Sequence, residues 1–295
     1  MWDAGQYLRF GGERARPFFD LVAQVGATSP RYVADLGCGP GNLTAALAAR
    51  WPDAAVVGVD NSPEMIDAAN GAAGRDPAAV SAAGSPGGHG GRESPMRGVT
   101  GGSSPGGNAV SNLSFALGDV RDWRPARPLD VLVCNAVLQW VPDHDGLLLR
   151  WADLLAPGGW LAFQLPGNFD QPSHAIVKEM AASPRWRGPL AGAQLNRQAG
   201  DPADYVALLA RPGFGVDAWE TSYLHILHGE NPVLEWTRGT TLRPVLTALD
   251  EEQAAAFVRE YGERLLAEYR PHPFGTIFPF RRVFAVVHRA DPGRG

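Results

Sequence analysis

Cysteine is scarce: Cys38 and Cys134 are the only two in 295 residues. Two thiols exclude a disulfide framework or a four-ligand cysteine zinc site on count alone, and they suit a reducing compartment. No uninterrupted apolar run approaches the length of about 18 residues needed to cross a bilayer, so no membrane span is expected. The opening Met1-Trp2-Asp3-Ala4 has no basic segment ahead of an apolar one, so it does not read as a secretory signal, and a cytoplasmic location is expected. Positive charge is also in short supply. Lys and Arg total 26 against 31 Asp and Glu, a net charge of −5. That leaves no basic stripe for nucleic acid, and any polyanionic ligand must find its cations locally. Two nucleotide signatures are missing as well. There is no G-x-x-x-x-G-K-[ST] loop, and the third glycine that G-x-G-x-x-G would place at position 42 is Asn42.

What is present is more telling. Val33-Ala34-Asp35-Leu36-Gly37-Cys38-Gly39-Pro40-Gly41-Asn42-Leu43-Thr44 reads as a strand ending near an acid, a glycine loop and a helix start. Alternate glycines let the backbone turn sharply and let a ligand lie against it, while the helix N-terminus offers N–H groups to a negative ligand group. Ala54 to Asp60 is a second apolar run, ending in a carboxylate about 20 residues on, where an acid can accept both ribose hydroxyls. A third run, Leu113 to Leu117, leads into Gly118-Asp119-Val120, where Asp119 could accept from an adenine amine. Asp122 is its rival. This spacing fits adenosine with an amino-acid tail better than adenosine with a pyrophosphate.

With 45 % hydrophobic residues the chain can bury a large core. Its segments alternate strand and helix, as in a parallel sheet covered on both faces. Strands are expected at 31–36, 56–60, 112–117, 129–134, 160–165, 219–227 and 283–288. Helices are expected at 42–50, from Ser62-Pro63-Glu64 onward, at 146–155, at 205–210 and, as a pair, across 231–270. The stretch 71–111 breaks this pattern. About half of it is Gly, Ser or Pro, which cannot bury enough surface to offset the entropy of ordering, so a disordered, passive insertion is expected.

Asp35-Leu36-Gly37-Cys38-Gly39-Pro40-Gly41, Asp60, Gly118-Asp119-Val120 and Asn135 resemble the successive motifs of class I S-adenosylmethionine-dependent methyltransferases. Within that superfamily several stretches are similar to the trans-aconitate 2-methyltransferase family. They are Trp2 to Phe10 with Glu13 to Phe18, Leu138 to His144, Pro166 to Asp170, and Thr241-Leu242-Arg243-Pro244. The resemblance implies one Rossmann-like, doubly wound α/β domain over 1–295. Its seven-stranded sheet would be mostly parallel, with the last strand antiparallel, and 168–270 would supply a helical cover. It also implies S-adenosyl-L-methionine as cofactor and a small carboxylic acid as methyl acceptor. The charge balance and the missing apolar span lead us to expect no nucleic-acid or membrane partner, and a monomer is the default expectation. Asp35, Gly37, Gly39, Asp60, Asp119, Val120 and Asn135 would form the cofactor site.

No catalytic residue is expected, because a sulfonium methyl is already electrophilic and a carboxylate is already ionised. Cys38 and Cys134 sit where small apolar residues pack, and no metal site is expected from His225 and His228. Tyr7, Trp140 and His144 are candidate walls or contacts of the acceptor pocket. Arg14, Arg16, Arg238, Arg243, Arg281 and Arg282 are each expected at the surface. Arg243 is the choice among them for gripping a carboxylate, with its forked guanidinium. Three other functions stay open. One is methylation of another small acid, an acyl-carrier thioester or a quinone. The second is nucleic-acid methylation, against which Asn135-Ala136-Val137-Leu138 lacks the Asn/Asp-Pro-Pro-Tyr/Phe pattern. The third is a non-catalytic sensor of S-adenosylmethionine.

Overall fold

The computed structural model describes residues 11–73, 112–193, 195 and 199–293. Tyr7 and the insertion from residue 74 on lie outside them. Five parallel strands form the first part of the sheet: β1 (Tyr32–Leu36), β2 (Ala55–Asp60), β3 (Leu113–Leu117), β4 (Leu129–Asn135) and β5 (Leu155–Pro166). Two long strands complete it, β6 (Phe214–Leu227) and β8 (Gly275–Arg289), the latter antiparallel to both its neighbours. The order is β3-β2-β1-β4-β5-β8-β6, with a two-residue β7 (Pro271–His272) paired to β8 off this path. The expected seven strands with one antiparallel are found, and the short β7 makes an eighth. β5, β6 and β8 begin earlier than expected, at Leu155, Phe214 and Gly275.

The first helices follow from local chemistry. In α2 (Asn42–Arg50) the residue before the first turn is Gly41 at φ 79°, a conformation that favours glycine. In α3 (Pro63–Ala73) the Ser62 hydroxyl accepts from the Met65 N–H at 3.3 Å, with Pro63 at the first position. An earlier helix, α1 (Gly11–Ala23), is an addition to the expected elements; Pro17 lies inside it, a residue that ordinarily argues against a helix interior. Phe18, Leu21 and Val22 of α1 pack with Leu47 and Ala48 of α2 and with Trp51 just after it against one face of the sheet. The other face is covered by α4 (His144–Asp153), through Leu148 and Trp151, and by α6 (Pro202–Leu209), through Tyr205 and Leu209.

A third cluster stands beyond the carboxyl edge of the sheet. There α5 (Pro172–Ala182), α7 (Pro232–Arg238), α8 (Arg243–Ala248) and α9 (Glu251–Glu268) pack with Leu227, Phe278 and Phe280 from the β6–β8 arm. This is the expected helical cover, with two differences. Its 231–270 part holds three helices rather than two, and α6 belongs to the sheet face instead. Among the described residues no helix is long and apolar enough to cross a membrane.

Candidate active site

The strand order reverses between β1 and β4, which run parallel, and that switch point opens a crevice at the carboxyl ends of the strands. The glycine loop and the segment after β4 meet there. Gly37 (φ 76°) has so close a neighbour that a Cβ would stand 2.1 Å from Cγ2 of Val137. Its N–H and that of Cys38 both donate to the Val59 carbonyl, at 2.7 and 3.0 Å, tying the loop to β2. Gly39 (φ 55°) differs: nothing lies within 4 Å of where its Cβ would be. The loop is therefore propped from behind at Gly37 and open in front at Gly39, a cradle that fits a ligand lying flat on the backbone.

Asp60 stands beside that opening. Its Oδ2 accepts from the Gly39 N–H at 2.9 Å and its Oδ1 from the Ser62 N–H at 3.0 Å. Asp35 is placed differently. It is buried beneath the loop, where its Oδ2 accepts from the Thr44 hydroxyl at 2.6 Å, so it braces the loop against α2. Burial lifts its carboxyl to about 6 despite the Thr44 hydrogen bond, and the charge of Asp60 pushes the same way. The folded protein thus holds this proton more tightly than the unfolded chain, whose value is 3.8. Its contribution to stability is present at low pH and is lost as pH rises from about 4 through 6. Relative to Asp35→Asn, the native chain should lose about 2 kcal/mol between pH 4.5 and pH 7 in urea unfolding.

Asp119 is gripped by Arg121, whose Nε reaches Oδ1 at 2.9 Å and whose Nη2 reaches Oδ2 at 2.6 Å. That contact holds its carboxyl below the usual range. With the Arg121 N–H also on Oδ1, Oδ2 keeps one lone pair for a further donor. Val120 beside it is buried. Burial pushes the thiols of Cys38 and Cys134 upward, so neither is a thiolate near neutrality.

A second cavity adjoins Asn135, between the sheet edge and the helical cover. Its volume is about 100 Å³. Trp140, Phe169, Trp236, Phe278 and Phe280 supply aromatic walls, while Asn135, Gln139, His174, Thr237, Thr241 and Arg282 supply polar ones. Phe169 reaches it because Asn168 extends the β-ladder: its side chain accepts from the Arg281 N–H at 2.7 Å and donates to the Arg281 carbonyl at 3.0 Å. His174 joins α5 to the turn before α8, with Nδ1 3.2 Å from the Ser173 hydroxyl and Nε2 3.1 Å from that of Thr241. Ala136, at φ 57°, is a non-glycine residue held in the left-handed region at this wall.

Of the expected acceptor residues, Trp140 lines this cavity. His144 and Arg243 do not. The His144 ring sits between α4 and α6, with Nδ1 3.4 Å from the Val141 carbonyl and Nε2 3.1 Å from the Tyr205 hydroxyl. A carbonyl only accepts, so Nδ1 carries the proton and Nε2 accepts from Tyr205. His144 is thereby engaged in packing. Arg243 opens α8, outside the wall. The guanidinium in the wall belongs to Arg282, expected at the surface yet only 6 % exposed. Its signal was a charged residue in register with Phe280, Phe284 and Val286. Arg281 has the same signal on the other face, in register with Val283, Ala285 and Val287, so alternation alone does not choose between them. Among the described residues no group of three or more His, Cys, Asp or Glu could hold a metal.

A sheet in this order, with a glycine cradle at its switch point and an acid at the end of the next strand, defines the class I S-adenosylmethionine-dependent methyltransferases. Residues 9–208 match the family model described as a methyltransferase domain. The chain is 48 % identical over 291 residues to a trans-aconitate 2-methyltransferase of Streptomyces avermitilis, covering 98 % of this chain and 97 % of that one. It is 42 % identical to that of Mycobacterium tuberculosis, covering 97 % and 96 %. The chain belongs to the trans-aconitate 2-methyltransferase family. Solved structures share the fold at low identity. The YcgJ protein of Bacillus subtilis matches with TM-score 0.54 at 12 % identity, over 93 % of this chain and 98 % of that one. Phosphoethanolamine N-methyltransferase 2 of Haemonchus contortus matches with TM-score 0.50 at 14 % identity, over 97 % and 56 %.

Proposed function

We propose that this chain transfers a methyl group from S-adenosylmethionine to one carboxylate of trans-aconitate, giving a monomethyl ester. The observation that carries the reading is the adjacency of two spaces. Gly37 of the open cradle beside Asp60 abuts Val137, and Asn135 and Ala136, just before it in the chain, line the aromatic cavity holding Arg282. S-adenosylmethionine, when bound, supplies an electrophilic methyl carbon on a sulfonium. The chain's own work is positional. Gly37 and Gly39 shape the cradle, Asp60 accepts at its rim, and Asp119 with Val120 and Asn135 closes the rest of the donor site. Trp140, Trp236 and Phe280 keep water from the acceptor and line it up with the methyl carbon. As the new O–C bond forms, the C–S bond breaks, and no proton moves.

The test is transfer of labelled methyl groups by the full chain. Trans-aconitate should be esterified, with cis-aconitate and isocitrate poorer. The rate should stay nearly flat from about pH 6.5 to 8.5, because the acceptor carboxylates titrate well below that range. A steep rise across that interval, or turnover of a phenol or thioester without any ester of trans-aconitate, would overturn the reading.

A further inference from the structure

An acceptor with three carboxylates must have its non-reacting ones held while the third faces the methyl carbon. Resting on the function proposed above, we propose that Arg282 grips a non-reacting carboxylate of the acceptor, and that Gln164 and Asn135 fix its guanidinium for that task.

Arg282 pairs with Pro166 across β5 and β8, where the ladder between those strands ends, and lines the cavity from β8. Its guanidinium carbon lies 4.7 Å from the centre of the Phe280 ring, and its Nη1 donates to Oε1 of Gln164 at 3.3 Å. Gln164 is 1 % exposed, and its Nε2 donates to Oδ1 of Asn135 at 2.5 Å. The chain Arg282–Gln164–Asn135 therefore spans three neighbouring strands, β8, β5 and β4.

Donor and acceptor chemistry sets its polarity. A guanidinium only donates, so the glutamine must turn its oxygen toward Arg282 and its NH2 toward Asn135. Asn135 must then meet it with oxygen, which leaves its own NH2 for other partners. Both end residues line the cavity, and both are donors in chemistry, a guanidinium at one end and an amide NH2 at the other. Such an arrangement suits an anion. The aromatic walls lower the local dielectric and strengthen a carboxylate–guanidinium contact, and a planar guanidinium can bind both carboxylate oxygens in parallel. The adjacent Arg281 is directed elsewhere, with Nε on Glu220 at 2.9 Å and Nη2 on Asp201 at 2.6 Å. In a chain of net charge −5, the cation for a polyanion has to be local, and among the described residues Arg282 is the arginine that lines this cavity.

The experiment combines steady-state methyl transfer, calorimetry with S-adenosylhomocysteine and thermal unfolding on the full chain. In Arg282→Met the KM for trans-aconitate should rise about 30-fold or more, with kcat changed far less and S-adenosylhomocysteine affinity within about twofold of the parent. Arg282→Lys should recover only part of the loss, since an ammonium does not reproduce the planar fork. Gln164→Leu, which keeps the charge but frees its orientation, should raise KM by several-fold. Trans-aconitate analogues with one carboxylate replaced by a neutral amide provide the arm that needs no variant. One of them should bind the native enzyme as poorly as the parent acid binds Arg282→Met, and Arg282→Met should not distinguish that amide from the acid. Native-like KM in Arg282→Met, or an equal native KM for the acid and every single amide, would overturn the assignment while leaving the proposed function standing. Absence of ester from the native chain would overturn the function instead.

Discussion

Replacing Asp60 by alanine should weaken binding of S-adenosylmethionine by about 1.5–3 kcal/mol, roughly 10- to 150-fold, the cost of losing hydrogen bonds to a charged group. Two losses combine. The carboxylate at the end of β2 is the acceptor at the rim of the cradle, and it also holds the cradle's shape through the Gly39 N–H at 2.9 Å. Asp60→Asn separates the two contributions. It keeps one oxygen for the loop but turns an NH2 toward the second donor, at Ser62 or at the ligand, so its affinity should fall nearly as far. Folding should suffer less in both variants, because Asp60 is only partly buried and water can replace the lost acceptor. Calorimetric titration with unchanged affinity in Asp60→Ala would contradict the placement of the donor in this cradle.

Gly37→Ala should be the most damaging small substitution in the loop, destabilising the fold by about 2–5 kcal/mol. A φ of 76° costs an alanine about 1–2 kcal/mol. The new methyl would also stand 2.1 Å from Cγ2 of Val137, and such overpacking adds about 1–3 kcal/mol. Val137 has little room to rotate away, since a β-branched side chain is stiff at χ1. Gly37→Ala combined with Val137→Ala should therefore recover most of the steric part, since the Val137 Cβ 3.1 Å away remains, and leave the backbone part. Gly39→Ala should behave in the opposite manner. With nothing within 4 Å, it pays only for its φ in stability, but its methyl projects into the space assigned to the ligand. Urea unfolding of the three variants, paired with titration of S-adenosylhomocysteine, would separate these effects. Equal destabilisation by Gly37→Ala and Gly39→Ala would contradict the division of the loop into a propped back and an open front.

The donor half of the site was legible because its residues are bound by short-range constraints. A glycine loop closing a strand and opening a helix needs particular residue types at fixed spacing, and Asp60 follows at the end of the next strand. The helix over Asn42–Arg50 was expected at the bounds found. The cavity proposed for the acceptor was less legible, because its lining residues come from elements distant in sequence. The Arg282–Gln164 contact joins residues 118 apart, and Arg281–Asn168 joins residues 113 apart. Nothing local distinguishes Arg243, at the start of α8, from Arg282, in the middle of β8, as the arginine that faces the cavity. His144 lies in a stretch shared with the family, yet only the packing of α4 on α6 reveals that Tyr205 already occupies its ring nitrogen.

By itself, then, the sequence determined the class of sheet, the cradle at its switch point and the acid beside it. These follow from backbone sterics and from the alternation of buried strands with helices, which act over a few residues at a time. Tertiary structure decided which arginine lines the cavity and which way the amides of Gln164 and Asn135 point. Both depend on β8 running antiparallel between β5 and β6, a placement that sets Arg281 against Glu220 on one face and Arg282 against Gln164 on the other.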